Sequence, residues 1–215
     1  MSKDLSNYRK SYEKQELLEN SCPENPMDLF KNWFQHADES ETVEETNAMS
    51  IATIGADGFP KNRIVLLKKF NSDGFIFYTN YTSEKGQAIE ENNHICLSFF
   101  WPGLEQQIII KGIAEKQAAH LSDGYFESRP DGSKLGAWAS NQSTVVNSRN
   151  DLEDSLASFE KAFKGTAIKR PNHWGGYLVK PISIEFWQGR PNRLHDRIRY
   201  CLEKDFSWKI ERLAP

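Results

Sequence analysis

Hydrophobic positions recur along this chain with two different periods, and the changes of period mark the expected elements. Residues 1–24 carry no periodic apolar signal and read as a mobile arm, although Tyr8, Arg9 and Tyr12 make it more aromatic and basic than a plain linker. Leu29, Phe30, Trp33, Phe34 and Ala37 then fall at helical spacing, behind an Asn25-Pro26 pair suited to N-cap and first helical position. From Ala48 the texture becomes short runs of β-branched and aromatic residues. Met49–Ile54, Arg63–Phe70 and Phe75–Thr79 read as strands, with Asp57-Gly58 and Asp73-Gly74 as turns. Ser83 opens a short helix to about Asn92, and His94–Trp101 and Glu105–Glu115 are two further strands. Ala118–Ser128 and Leu152–Phe163 read as helices, the first closed by a loop at Arg129-Pro130-Asp131-Gly132. Gly175–Val179 and Ile182–Trp187 read as strands separated by Lys180-Pro181, followed by the pair Arg197–Leu202 and Trp208–Leu213. About eight short strands with a few helices predict a mainly β fold, an antiparallel barrel with peripheral helices, in one domain from 25 to 215.

Composition narrows the function classes. A 215-residue chain with 38% hydrophobic and 27% charged residues fits a soluble globular protein. The net charge of -3 gives no global pull toward nucleic acid or an anionic membrane, so neither is expected as a partner. No apolar leader or membrane span is apparent, and three widely spaced cysteines without metal-ligand spacing argue against a disulfide framework or a metal site. A cytoplasmic location follows as the expectation. Basic residues nevertheless cluster locally, at Arg63/Lys68/Lys69, Arg129/Lys134 and Arg190/Arg193/Arg197/Arg199, as expected of a protein that binds small anions.

Five stretches carry candidate chemistry. If Arg193-Leu194-His195-Asp196-Arg197 is extended, Arg193, His195 and Arg197 share a face and grip an anionic ring; a solvated edge strand is the alternative. Arg63 and Lys68 bound an apolar strand with opposite parity, so either a bulge intervenes or each meets a different anion. Tyr78 to Gly86 joins a strand end to a helix start, where Thr79, Ser83 and Lys85 add donors to free backbone N–H groups and suit a phosphate. Tyr125, Arg129 and Ser133 form a second donor set, and Gly136–Ser143 reads as an amide-rich loop able to address a heterocycle. No GxGxxG, Walker lysine loop, GxSxG or HExxH occurs, and cofactor chemistry fits better than hydrolysis.

In order along the chain, RIVLLK (63–68), FYTN (77–80), Ser83–Lys85, YFESRP (125–130), GAWAS-QS (136–143), FWQG (186–189), RLHDR (193–197) and WKIERLAP (208–215) closely resemble the pyridoxine/pyridoxamine 5′-phosphate oxidase family. The likeness runs from about residue 26 to the C-terminus, with a weaker echo at Arg9-Lys10-Ser11-Tyr12. It implies an FMN-binding split β-barrel that works as a homodimer with the flavin between subunits. Arg63, Leu66, Lys68, Tyr78, Thr79, Ser83, Lys85, Gln107, Gln142, Ser143, Trp187 and Arg197 would then serve the flavin. Lys68, Tyr125, Arg129 and Ser133 would hold the substrate phosphate. Arg193 and His195 would flank the pyridine ring as catalytic residues, with Arg9 and Tyr12 closing over it. Arg63 and Lys68 would on this basis serve two different phosphates.

The implied reaction oxidises C4′ of pyridoxine or pyridoxamine 5′-phosphate to the aldehyde of pyridoxal 5′-phosphate. Hydride passes to FMN, dioxygen is reduced to hydrogen peroxide, and the amine substrate releases ammonia. Another FMN split-barrel oxidoreductase, such as a flavin reductase, and a non-enzymatic pyridoxal phosphate binder are the competing readings. One position departs from the family pattern: Glu84 stands where a basic residue is common, and it should weaken phosphate binding unless it faces solvent or pairs with Lys85.

Overall fold

The computed structural model describes residues 2–215. Five α-helices and nine strands follow one another as α1 (Pro26–Asp38), β1 (Ala48–Ile54), β2 (Pro60–Leu66), β3 (Lys69–Asn71), β4 (Gly74–Asn80), α2 (Glu84–Glu91), β5 (His94–Trp101), β6 (Gln106–Lys116), α3 (Ala119–Ser128), α4 (Asp131–Ala139), α5 (Arg149–Ala162), β7 (Trp174–Gln188), β8 (Asp196–Leu202) and β9 (Trp208–Arg212). The strands hydrogen-bond in the order β2-β1-β5-β6-β7-β4-β3, with β8 on β7 and β9 on β8. The β3–β4, β4–β7, β7–β8 and β8–β9 pairings are antiparallel. The expected mainly β class with peripheral helices is therefore observed.

The chain divides into two compact units. The first comprises the segment ending at Met49 together with Leu97–Lys111 and Ile182–Pro215; the second comprises Ser50–Cys96 and Gly112–Pro181. In the first, α1 begins as its sequence predicts, with the Asn25 side chain accepting from the Met27 N–H at 2.9 Å and Pro26 in the first turn. Its apolar face meets the sheet through Phe30 against Phe99, with centroids 5.4 Å apart, and Trp33 against Phe186 at 5.3 Å. Burying the Phe30 ring contributes about 1.5–3 kcal/mol. The arm before it holds one 3₁₀ turn, Glu19–Ser21, and otherwise neither helix nor strand. It is nonetheless tied down. The Glu105 carboxylate accepts from the Glu13 and Lys14 N–H groups, Asp196 accepts from the Leu17 N–H at 3.0 Å, and Leu17 is 3% exposed.

In the second unit, Phe77 stacks on Tyr177 across the β4–β7 ladder and Phe126 of α3 meets Trp174 edge-on. Ser148 caps α5 reciprocally with Asp151. Phe159 and Phe163 of the α5 end pack on Trp138 of α4.

Four sequence expectations change. The run Arg63–Phe70 is two strands, broken at Leu67-Lys68, because Leu67 turns inward and is 3% exposed while the Lys68 N–H reaches the Ile76 carbonyl. Gly175–Val179 and Ile182–Trp187 are one strand, β7, running through Pro181. Its ladder to β4 ends at Val179 and its ladder to β8 begins at Ser183, so the missing proline N–H interrupts neither. The expected loop at Arg129–Gly132 shrinks to Arg129 and Pro130, because Asp131 starts α4, and Gly136–Ala139 are helical instead of looped. Finally, Pro191–Arg193 is a 3₁₀ turn with Asn192 and Arg193 at φ of 57° and 63°, so Arg193, His195 and Arg197 do not share a strand face.

Candidate active site

The second unit contains a cavity of about 480 Å³ whose wall is built from element ends. The C-terminal half of β2 brings Arg63 to Leu66, the β2–β3 break brings Lys68, and the end of β4 brings Tyr78, Thr79 and Asn80. Lys85 enters from the first turn of α2, Tyr125 from α3, Arg129 from its C-cap, Gln142 and Ser143 from the loop after α4, and Trp174 from the start of β7. Because strand and helix ends are fixed by their ladders, these side chains converge without long flexible segments. Gly176, which faces Tyr78 in the β4–β7 register, allows the phenol ring to lie close, since a Cβ there would come within 2.8 Å of it.

Charge in this cavity is one-sided. Arg63, Lys68, Lys85 and Arg129 line it, and no carboxylate does. Lys85 is 8% exposed and donates to Gln142 Oε1 at 2.8 Å and Ser83 Oγ at 3.3 Å. Burial, with the Arg63 charge second, holds its pKa below the ordinary lysine value. Burial likewise lowers Arg129 and raises the phenols of Tyr78 and Tyr125. Nη1 of Arg129 is buried and has no hydrogen-bond partner. A buried guanidinium N–H without an acceptor is costly, and an anion in the cavity would supply one. Ser133 lines an adjoining cavity of about 290 Å³ together with Asn80, Arg129, Gln142 and Trp174.

Glu84 stays off the cavity wall, and it does not pair with Lys85. Its carboxylate accepts from Lys61 at 2.9 Å and from Arg63 at 3.0 Å, and the Lys61 contact holds its pKa below the ordinary glutamate value. The break after Leu66 also removes the parity argument: Arg63 and Lys68 line the same cavity. Ser83 does not line it. It caps α2 by accepting from the Gly86 N–H and acts on the cavity only through Lys85.

The first unit contains a separate cavity of about 570 Å³, lined by Tyr8 to Tyr12 of the arm and by Arg190, Asn192, Arg193 and His195. His195 Nδ1 accepts from the Arg190 N–H at 3.1 Å, so in the neutral ring the proton sits on Nε2. Burial, followed by the Arg193 charge, lowers its pKa. Trp187 and Tyr12 pack against the imidazole, with centroids 4.8 and 5.7 Å away. Arg9, Tyr12, Arg193 and His195 thus come together. Arg197 does not join them: its guanidinium is bonded to Glu185 at 2.8 Å and to the Ala214 carbonyl. Gln107 lies on β6 with its amide toward Ser98 Oγ. Arg129 and His195 line different cavities, one in each unit. Among the described residues no cluster of His, Cys, Asp and Glu could hold a metal ion, and no helix is long and apolar enough to cross a membrane.

Sequence reasoning missed three residues with clear structural roles: Asn80 and Trp174 in the cationic cavity, and Glu105 beneath the arm. Trp174 had a signal, since two glycines follow it directly on a strand and leave room for Tyr78 and Tyr81. Glu105 had none; its partners are about 92 residues away in sequence.

Two family models match the chain. The one described as pyridoxamine 5′-phosphate oxidase covers residues 37–161, and the one described as pyridoxine 5′-phosphate oxidase C-terminal dimerisation region covers 174–215. A pyridoxine/pyridoxamine 5′-phosphate oxidase from Flavobacterium psychrophilum is 65% identical over 99% of this chain and 100% of its own length. The protein of the same name from Chromohalobacter salexigens is 46% identical over the full length of both chains. Among solved structures, PhzG from Burkholderia lata in complex with tetrahydrophenazine-1-carboxylic acid superposes with a TM-score of 0.85 at 30% identity, over 93% of this chain and 98% of that one. A pyridoxamine 5′-phosphate oxidase-related, FMN-binding protein from Nostoc punctiforme shares the fold, with a TM-score of 0.69 at 16% identity over 90% of this chain and all of that one.

Proposed function

Because this chain belongs to the pyridoxine/pyridoxamine 5′-phosphate oxidase family, with its split-barrel fold, we propose that it oxidises pyridoxine and pyridoxamine 5′-phosphate at C4′ to pyridoxal 5′-phosphate, the amine giving ammonia. FMN is the cofactor. One observation carries the reading: four cations line the second-unit cavity with no carboxylate among them, and one guanidinium N–H of Arg129 lacks an acceptor. That donor set fits phosphomonoester dianions, since Arg63 has Glu84 as a counter-charge but Lys68, Lys85 and Arg129 have none. When bound, FMN supplies a two-electron acceptor that dioxygen reoxidises with release of hydrogen peroxide.

The protein's own groups bind and orient. Arg63, Thr79, Ser143 and Lys85 hold the flavin phosphate, with Ser83 steadying Lys85. Leu66, Tyr78, Gln107, Gln142, Trp187 and Arg197 complete the flavin site. Lys68, Tyr125, Arg129 and Ser133 hold the substrate phosphate, which fixes one end of the reacting molecule and favours a productive approach of C4′. Arg193 covers the pyridine face, and His195, presenting its Nε2 proton, hydrogen-bonds a ring substituent. Arg9 and Tyr12 close the same cavity.

The flavin lies between the subunits of a homodimer, so that residues of both chains complete each site. Support comes from β2, which has no buried residue and leaves Ile64 70% exposed, as expected of a strand that awaits a second chain. The test is a visible spectrum of the purified protein followed by anaerobic addition of pyridoxamine 5′-phosphate. A flavin band that bleaches on addition supports the proposal. A colourless protein that takes up no FMN, or a flavin band unchanged by substrate, overturns it.

A further inference from the structure

Arg129 differs from the other cations of its cavity in what holds it. Lys85 is hydrogen-bonded to Gln142 and Ser83, and Arg63 is paired with Glu84. Arg129 instead lies over aromatic rings, its guanidinium carbon 4.6 Å from the centre of Trp174 and 5.5 Å from that of Phe126. Trp174 is itself immobilised. It is 7% exposed, its ring lies nearly parallel to Tyr78 at 5.4 Å and 11°, and Phe126 meets it edge-on at 5.2 Å. Its carbonyl accepts from Arg170 at 2.6 Å, and Arg170 is in turn fixed by Asp123 at 2.7 Å.

An aromatic face attracts a guanidinium without using any of its N–H donors. A carboxylate in the same place would orient the group equally well but would occupy those donors and compete with an incoming dianion. We propose that Trp174 is a positioning residue for substrate binding: its ring presets the plane of Arg129 so that the unpartnered Nη1 is presented to the phosphomonoester end of the substrate. This rests on the reading that Arg129 takes the substrate phosphate.

The test uses the flavin-saturated enzyme and three kinds of variant. Trp174→Leu removes the ring and should raise KM for pyridoxamine 5′-phosphate about tenfold while kcat stays within about threefold. Trp174→Phe keeps a ring and should lose less. In an Arg129→Gln background Trp174→Leu should add almost nothing, since the group it positions is gone. Site-specific replacement of Trp174 by mono-, di- and trifluorotryptophan withdraws electron density from the ring at nearly constant shape, and KM should rise stepwise along that series. This arm keeps the inference falsifiable if the leucine variant fails to fold. A KM that stays flat across the fluorinated series, or a Trp174→Leu penalty of full size in the Arg129→Gln background, overturns the positioning role. If Arg129→Gln alone leaves KM unchanged, the assignment of the substrate phosphate to Arg129 falls first, and the inference falls with it.

Discussion

The two cavities are built by opposite means. In the second unit, cations project from a strand, the break after it, a helix start and a helix C-cap, so β2, the β2–β3 break, α2 and α3 place the charge. In the first unit, half the wall is an arm with little regular structure, and it is held by side chains that reach across 91 to 195 residues of sequence. The first kind of site is held by regular elements, once β4 and β7 have paired across about 100 residues of sequence. The second leans on side-chain tethers to a segment without ladders, and losing a tether should loosen it.

That contrast can be broken most sharply at Lys85. Lys85→Met removes a buried ammonium from the cationic cavity while leaving the Ser83 cap of α2 in place. FMN affinity of the apoprotein, read by flavin fluorescence quenching, should fall at least about tenfold. An unchanged affinity would mean that Lys85 does not meet the flavin phosphate.

Next in size is the arm. Glu105 is 2% exposed, and its carboxylate accepts from two arm N–H groups at 2.8 and 3.1 Å. Hydrogen bonds to a charged group are worth about 1.5–3 kcal/mol. Glu105→Gln should therefore speed limited proteolysis within residues 8–17 by about tenfold or more and leave FMN affinity untouched. Equal protease resistance in the variant would show that the arm has other, sufficient anchors.

A smaller effect concerns His195. Its pKa is lowered by burial and by Arg193, so between the folded value and about 6.5 the unfolded chain binds more protons than the folded one. The contribution of this group to stability is thus complete above pH 6.5, declines as pH falls through that window and levels off below it. Nuclear magnetic resonance of the imidazole should give a midpoint below 6.5, and the Arg193→Leu variant should move it upward. A midpoint above 6.5 would contradict the burial seen here.

The smallest change is expected at Glu84. Its contacts to Lys61 and Arg63 are exposed ion pairs, a class of small net worth that salt screens. Glu84→Gln should free Arg63 and tighten FMN binding by no more than about fivefold, and the gain should shrink as ionic strength rises. Weaker binding in the variant would mean that Glu84 helps by orienting Arg63.

Local chemistry made much of this molecule legible in advance. Asn25-Pro26, the Ser83 cap and the β-branched and aromatic runs of β4 and β5 carry their own start and stop signals, and the structure follows them. Errors came where tertiary pairing overrode a local sign. Pro181 reads as a breaker, yet it sits in the one gap between two ladders of β7. Pro130-Asp131-Gly132 reads as a turn, yet Asp131 is as good in a first helical turn. The grouping of Arg63, Lys85 and Arg129 was legible only through ordered motifs, since no spacing rule brings α2, α3 and β2 together. Trp174 and Glu105 escaped because their roles depend on what lies opposite them.

The corner at Asn192-Arg193 has a consequence of its own. Two successive residues with side chains stand in a backbone region that glycine occupies freely, at φ of 57° and 63°. A glycine at 193 would relax the bend and strip the cavity of its guanidinium in one stroke, so robustness and usefulness pull against each other at this position. Selection for heat tolerance alone would tend to erase Arg193.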